Sequence, residues 1–190
     1  MEIKSGVKFK GRWEIEVKDS RDPTTGKRFR DNKGRFLPRQ VISKSSCENI
    51  TTDEGVNKHL NVIYHGATQI SPWYCVLSET NTAPAASMTY AVPVFTETTA
   101  YSEETRPEYV EAESTAKSIT NSANKATFTA NATKTFYGAA LVGGGSAAST
   151  KGDTAGGGTL SSYGLFTTPQ PVISGNVVNV TYTNTGSDAG

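Results

Sequence analysis

At 190 residues and 20.2 kDa, the chain has the length of one ordinary domain, which buries enough surface to fold without disulfide or metal staples. Its net charge of +1 conceals an uneven distribution: residues 1–44 carry thirteen basic and six acidic side chains, whereas residues 45–190 carry six and twelve. No run approaches the roughly 20 apolar residues that cross a bilayer, and no apolar run follows Met1, so we expect no membrane segment and no secretory signal.

The first segments of the chain predict a basic β-hairpin over residues 7–44. Residues 7–18 alternate between apolar and charged side chains, which is typical of a half-buried antiparallel strand. Residues 19–34 are rich in aspartate, proline, asparagine and glycine, the residues that form turns. Residues 39–43 then predict a strand that returns antiparallel to the first.

Residues 52–64 predict the one substantial helix. Thr51 is the expected N-cap, because Glu54 follows at the spacing of a capping box. Gly66 is placed to end the helix in a left-handed conformation. An apolar face recurs at helical spacing, and we expect it to pack across an open end of the β structure. The residues of this face are Val56, Leu60, Ile63 and Tyr64.

The remaining residues predict strands joined by loops. The continuous apolar run 73–77 predicts a buried central strand, because a strand covered on both faces does not alternate. Residues 78–93 predict a long loop, and the glycine-rich residues 143–158 predict a mobile surface loop. Further strands are expected twice within the acidic stretch 94–113 and then at 126–132, 135–142, 160–166 and 176–184.

Together these elements predict a single all-β domain over residues 1–190. The expected architecture is an antiparallel β-sandwich or jelly roll with one short capping helix. Much of the core is expected to come from ten apolar side chains: Phe9, Trp13, Ile15, Val17, Leu60, Trp73, Val76, Phe128, Val178 and Val180.

Few residues are suited to catalysis or cofactor binding, and we expect no catalytic residue, no cofactor and no metal site. His59 and His65 fall on different faces of the helix end, and His59 is expected to be a solvated helix residue. Cys47 and Cys75 lack zinc spacing and any nucleophile signature, so we expect two buried, reduced thiols. The glutamates of 103–113 lack calcium-loop spacing and predict a solvated acidic edge.

The basic segment 18–44 allows two interpretations. Its charges could only protect a solvated edge strand from aggregation. Alternatively, it docks on an acidic surface of another protein or of a second copy of this chain. Nucleic acid ranks low, because the acidic remainder of the chain would repel a phosphate backbone. The residues expected to bind a protein partner are Lys27, Arg28, Arg30, Lys33, Arg35 and Arg39.

Over roughly residues 7–184, the chain resembles a family of small virion structural proteins of tailed bacteriophages, especially short-tailed ones. Residues 20–40 depart from the family pattern, because they are longer and more basic than its tight turn. The stretches that carry the resemblance are GVKFKGRW (6–13), NITTDEGVN (49–57), Trp73-Tyr74-x-x-Leu77, FTE (95–97), AYSEETRP (100–107), ITNSA (119–123) and VISGNVVNVTYT (172–183).

The resemblance implies a non-enzymatic virion protein that is made in the cytoplasm of a bacterial host. The first expectation is a capsid cement (decoration) protein on the outer surface of the head. Its partners would be the major capsid protein or other virion proteins, and it would form a homo-oligomer, with a trimer favoured. A head-fibre or tail-fibre host-binding module and a tail connector or tube component are the alternatives. No nucleic-acid or membrane partner is expected.

Overall fold

The computed structural model of the chain describes residues 7–188, and these residues form nine strands and one helix. All strand pairs are antiparallel and belong to two sheets, so the expected all-β sandwich with one short helix is confirmed. In chain order the elements are β1 (Val7–Asp19), β2 (Gln40–Glu48), β3 (Ile50–Thr51), α1 (Asp53–Tyr64), β4 (Trp73–Ser78), β5 (Ser118–Thr120), β6 (Ala126–Thr129), β7 (Lys134–Gly143), β8 (Thr159–Val172) and β9 (Val177–Asp188).

The first sheet is built on the long antiparallel pair of β1 and β9. Its register runs from Val7 opposite Asp188 to Lys18 opposite Val177. β2 lies on the other side of β1, while β5 and β6 both pair with the far side of β9. From Gly11 to Val17 every second residue of β1 is buried, because one face of the strand meets the core and the other meets solvent. The predicted hairpin is therefore confirmed, with a second strand longer than expected.

The second sheet has the order β3-β8-β7-β4 and is buried on both faces. One face packs against the first sheet. The other face is covered by the loops that follow β4 and β7. The first of these loops places Tyr90 and Phe95 against Leu160 and Tyr163. Phe95 stacks on Tyr163 with ring centroids 4.4 Å apart. This two-sided burial explains the continuous apolar runs of β4 and of the second half of β7.

The strand β4 is buried as predicted, but the prediction that it is central is wrong. It lies last in the order of the second sheet. Its outer edge is met instead by isolated bridges from Glu97 to Ser78 and from Glu108 to Tyr74. An edge strand that is covered by irregular chain has the same apolar composition as a central strand, which is why the pattern could not separate them.

Residues 94–113 do not form the two predicted edge strands. They are irregular chain that contributes backbone donors to both sheets. The N–H of Tyr109 donates to the carbonyl of Trp73 at 2.8 Å, and the N–H of Ala112 donates to that of Thr120 at 3.1 Å. Because Trp73 lies in the second sheet and Thr120 in the first, this segment closes one side of the sandwich.

Most of the predicted core is buried. Seven of the ten residues are at most 2% exposed, and Trp73 is half-buried. Two predictions are wrong, because Phe9 is 53% and Leu60 47% exposed. Phe9 lies near the start of β1, beside the helix, and Leu60 faces away from the sheets. Tyrosines complete the core, and Tyr182 stacks on Trp13 with centroids 4.3 Å apart.

A charge cluster on β1 predicts how the fold responds to acid. The carboxylate of Glu16 accepts hydrogen bonds from the ammonium groups of Lys125 and Lys44, each at 2.9 Å, and these lower its pKa from 4.5 to about 2. A lowered pKa contributes stability that is present above pH 4.5 and is lost as the pH falls towards 2. We expect Glu16→Gln to flatten the pH dependence of the unfolding free energy in that window, measured by urea denaturation. Glu14→Gln, on the same strand, is the control. If the unfolding free energy of both variants depended equally on pH in this window, the prediction would be wrong.

Candidate protein-binding surfaces

Residues 20–39, which join β1 to β2, form an ordered projection that we call the basic arm. Two aspartates organise its turns. Asp22 accepts from the N–H groups two and three residues later, both at 2.8 Å. Asp31 accepts from those two and four residues later, both at 2.9 Å. These backbone donors lower the pKa of both carboxyls, so each aspartate stays charged while serving the arm's own backbone.

Four arginines of the basic arm contact the arm itself, and one of them, Arg21, donates to the carbonyl of Gly26 at 3.0 Å. The guanidinium carbons of Arg28 and Arg30 lie 4.2 and 3.8 Å from the centroid of the Phe36 ring, within the range of cation–π attraction. Nε of Arg35 donates to Asp31 at 2.8 Å. These four side chains therefore help to shape the arm as well as charge it.

All six predicted partner-binding residues are exposed in the basic arm. Arg39 lies at its base, where the guanidinium donates to the carbonyl of Gly175 at 3.3 Å. The side chains of Lys27 and Lys33 make no hydrogen bond or ion pair with any other residue in the described range 7–188. The arm thus presents its charge to the outside, and its role in binding a partner stays a prediction.

The helix α1 turns its apolar face to solvent. We call the four residues of this face the apolar stripe: Val56, Leu60, Ile63 and Tyr64. Their side chains are 42, 47, 61 and 81% exposed. The prediction that this face packs on the β structure is therefore wrong, although its spacing along the helix is as expected.

The opposite face of α1 packs on β8 through a glycine. Gly55 is the only buried residue of the helix, and a Cβ built at this position would lie 2.4 Å from the carbonyl oxygen of Ser161. Such a distance leaves no space for a side chain, so the helix backbone lies directly on the strand. His59 and Val62, half-buried, continue this inner face.

The start of the helix also differs from the prediction. The N-cap is Thr52 rather than Thr51, and its hydroxyl accepts from the N–H three residues later at 3.0 Å. Glu54 does not form a capping box. Its Oε2 accepts instead from the N–H of Tyr90 at 2.8 Å and of Leu160 at 2.7 Å, so it joins the helix to a loop and to β8.

A shallow apolar groove extends the apolar stripe towards the start of β1. It lies between the strand and the helix and is lined by Phe9, Val62, Ile63, Ile70 and Trp73 among others. The Phe9 and His59 rings are 6.3 Å apart. His59 was predicted to be solvated, which is wrong: it is half-buried, and burial lowers its pKa.

Arg106 is a buried cation that no sequence motif indicated. Its side chain is 2% exposed and forms a two-pronged ion pair with Glu97. The remaining donors reach the carbonyls of Ala148 at 2.9 Å and Asp153 at 2.8 Å and the hydroxyl of Tyr90 at 3.1 Å. Every partner belongs to a loop, so one guanidinium joins the connection between β4 and β5 to the loop between β7 and β8, over the second sheet.

These bonds hold the glycine-rich segment 143–158. Besides Arg106, the hydroxyl of Tyr90 donates to the Asp153 carboxylate at 2.7 Å, and the N–H of Gly152 donates to Glu97 at 3.0 Å. The mobility expected from its composition stays a prediction, and these contacts oppose it.

The two cysteines are buried and free, as predicted. Burial raises the pKa of the Cys47 thiol to about 12 and also raises that of Cys75. A raised pKa keeps a thiol protonated and therefore poorly nucleophilic at neutral pH.

Within the part of the chain that the structure describes, no group of three His, Cys, Asp or Glu side chains could hold a metal ion. Over the same residues, no helix is long and apolar enough to cross a membrane. Comparison of the chain with protein-family models, with curated proteins and with solved structures finds no match.

Proposed function

We propose that this chain is a non-enzymatic structural protein of a tailed-bacteriophage virion, and that it acts as a cement (decoration) protein on the outer surface of the head shell. The major capsid protein would be its main partner. A protein that binds the assembled shell but not free subunits stabilises the shell by mass action. The resemblance of residues 7–184 to small virion proteins supports the virion assignment.

The observation that carries the proposal is the outward-facing apolar stripe of α1. A helix on the surface of a β-sandwich ordinarily buries its apolar face, and contiguous exposed apolar groups mark protein interaction sites. Here Gly55 fixes the helix with the stripe outward, and Phe9 extends the apolar surface beyond it. We assign the stripe as the surface that attaches to the shell.

The basic arm provides a second, separate protein-binding surface. The groove beside the helix includes Phe9, near the start of β1, whereas the arm follows Asp19 at its end. Ten residues of strand span roughly 30 Å, so two partners could be bound at once. The host-binding alternative is less well supported, because it would display several tyrosines on the loops, and the loop residues Tyr90, Tyr101 and Tyr109 are buried, whereas the exposed Tyr64 belongs to the helix.

The test is a double substitution within the apolar stripe, Leu60→Ser with Ile63→Ser. Both side chains face solvent, so the melting temperature should hardly change. Loss of two buried apolar contacts at an interface is expected to cost about 2 kcal/mol or more, or roughly 30-fold in affinity for the head. The measurement is occupancy on heads that lack the wild-type protein, read from stained gels.

The matched control is Val41→Ser with Ile173→Ser, which removes two other exposed apolar side chains, 40% and 55% exposed, away from the helix. It should bind heads like the wild type. Equal occupancy of the stripe variant and the control would contradict attachment through the stripe. The wild-type copy number on the same gels separates a cement protein, present in many copies, from a connector or fibre, present in few.

A further inference from the structure

We propose that the basic arm of one copy docks on an acidic surface at the opposite side of a second copy of the same chain. This inference names a partner for the arm and rests on the proposed function only in placing that contact on a virion. The contact itself would form between copies in solution.

The acceptor surface consists of four exposed glutamates on the irregular segment that closes one side of the sandwich. We call it the acidic edge, and its members are Glu104, Glu108, Glu111 and Glu113. None of the four forms an ion pair with another residue of the described range 7–188. The neighbouring Glu103 differs, because both its carboxylate oxygens accept from the N–H of Thr129. Four exposed carboxylates within ten residues of one segment therefore have no ion-pair partner in the described range.

The arm has the complementary charge. It carries seven basic and two acidic residues, a net charge of +5. Both of its aspartates accept hydrogen bonds from the arm's own backbone, and its one ion pair among the described residues, Arg35 with Asp31, is internal. Opposite fixed charges on exposed surfaces attract and orient two molecules during association.

The topology separates the two surfaces within a single copy. The arm joins β1 to β2, and β2 is at one edge of the first sheet. The acidic edge is bonded through Tyr109 to β4 and through Ala112 to β5, and β5 is at the far edge of that sheet. No ion pair links the two surfaces in the described part of the molecule. A contact between them therefore joins different patches on two copies, which is a head-to-tail arrangement that closes into a ring or extends.

Lys27 and Lys33 provide a clean test, because they carry charge without an internal contact, whereas Arg28, Arg30 and Arg35 also shape the arm. The wild type should self-associate at low ionic strength, as measured by sedimentation velocity. Added salt should weaken the self-association. Lys27→Glu with Lys33→Glu should weaken self-association at least tenfold without changing the melting temperature. Glu108→Lys with Glu111→Lys on the acidic edge should do the same.

Mixing the two variants is the decisive measurement. The substitutions reduce the arm from +5 to +1 in one variant and the edge from −4 to 0 in the other. In the mixture, the unchanged arm of one variant meets the unchanged edge of the other, so heterodimers should form although neither variant associates alone. Lys8→Glu with Lys10→Glu on β1 is the control and should associate like the wild type. A monomeric wild type at low salt, or a mixture that stays monomeric, would overturn the contact. Either result leaves the stripe test on heads unaffected, so failure here is distinct from failure of the proposed function.

Discussion

Replacing Arg106 by methionine is expected to destabilise the fold by about 3–5 kcal/mol, because Glu97 then keeps a buried charge with no cation beside it. The carboxylate is 9% exposed and bonded to both prongs of the guanidinium. Loss of the same side chain also frees two loop carbonyls that it satisfies, those of Ala148 and Asp153. The measurement is the free energy of unfolding in urea.

A second substitution separates the charge from the packing. Adding Glu97→Gln to Arg106→Met removes the stranded carboxylate, and it should recover part of the lost stability. Arg12→Met is the matched control, since this arginine contacts Glu14 and Glu48 at 3.3 and 3.4 Å on an exposed strand face. Its loss should change the free energy of unfolding little. A small loss for Arg106→Met, like that of the control, would show that the network is not structural.

Replacing Gly55 by alanine is the second large expected effect, and its sign is opposite to the usual one. Alanine in a helix ordinarily stabilises by about 0.5–1 kcal/mol relative to glycine. Here the new methyl would lie 2.4 Å from the oxygen and 2.8 Å from the Cα of Ser161, which are backbone atoms of β8. We expect a loss of about 1–3 kcal/mol, since the helix must move off the strand to relieve the clash.

The control for this prediction is Asn57→Ala at an exposed position of the same helix, where the change in stability should be neutral or slightly favourable. Urea denaturation of both variants gives the comparison. An increase in stability for Gly55→Ala would mean that α1 does not pack on β8 as closely as described. Because this packing fixes the apolar stripe outward, Gly55→Ala should also weaken occupancy on heads.

The helix shows how far the sequence pattern could lead. The 3.6-residue spacing of Val56, Leu60 and Ile63 predicted both a helix and a single apolar face. It could not predict the direction of that face, because an apolar stripe suits its own core and a partner's surface equally well. Gly55, which precedes Val56 in the sequence, is the signal that was available: a helical glycine allows a close backbone approach on its own side, here the face opposite the stripe.

Arg106 was less accessible to prediction. It lies in a segment with five glutamates, which is the pattern of an exposed acidic edge, and four of those glutamates are indeed exposed. Its partners Glu97, Ala148 and Asp153 come from positions 9, 42 and 47 residues away, in loops without regular spacing. Contacts between loops have no periodicity, whereas the alternation of β1 and the turn residues of the arm are local and were predictable.

The position of β1 has a mechanical consequence. Its hydrogen bonds to β2 and β9 run perpendicular to the strand on both sides, over 8 and 12 residue pairs. If the shell holds the helix near the start of β1 and a neighbouring copy holds the arm beyond its end, tension between them runs along this strand. The force then shears the hydrogen bonds of β1 to β2 and to β9 together, rather than opening them one at a time. The strand that carries the force is therefore the one held by the most interstrand hydrogen bonds.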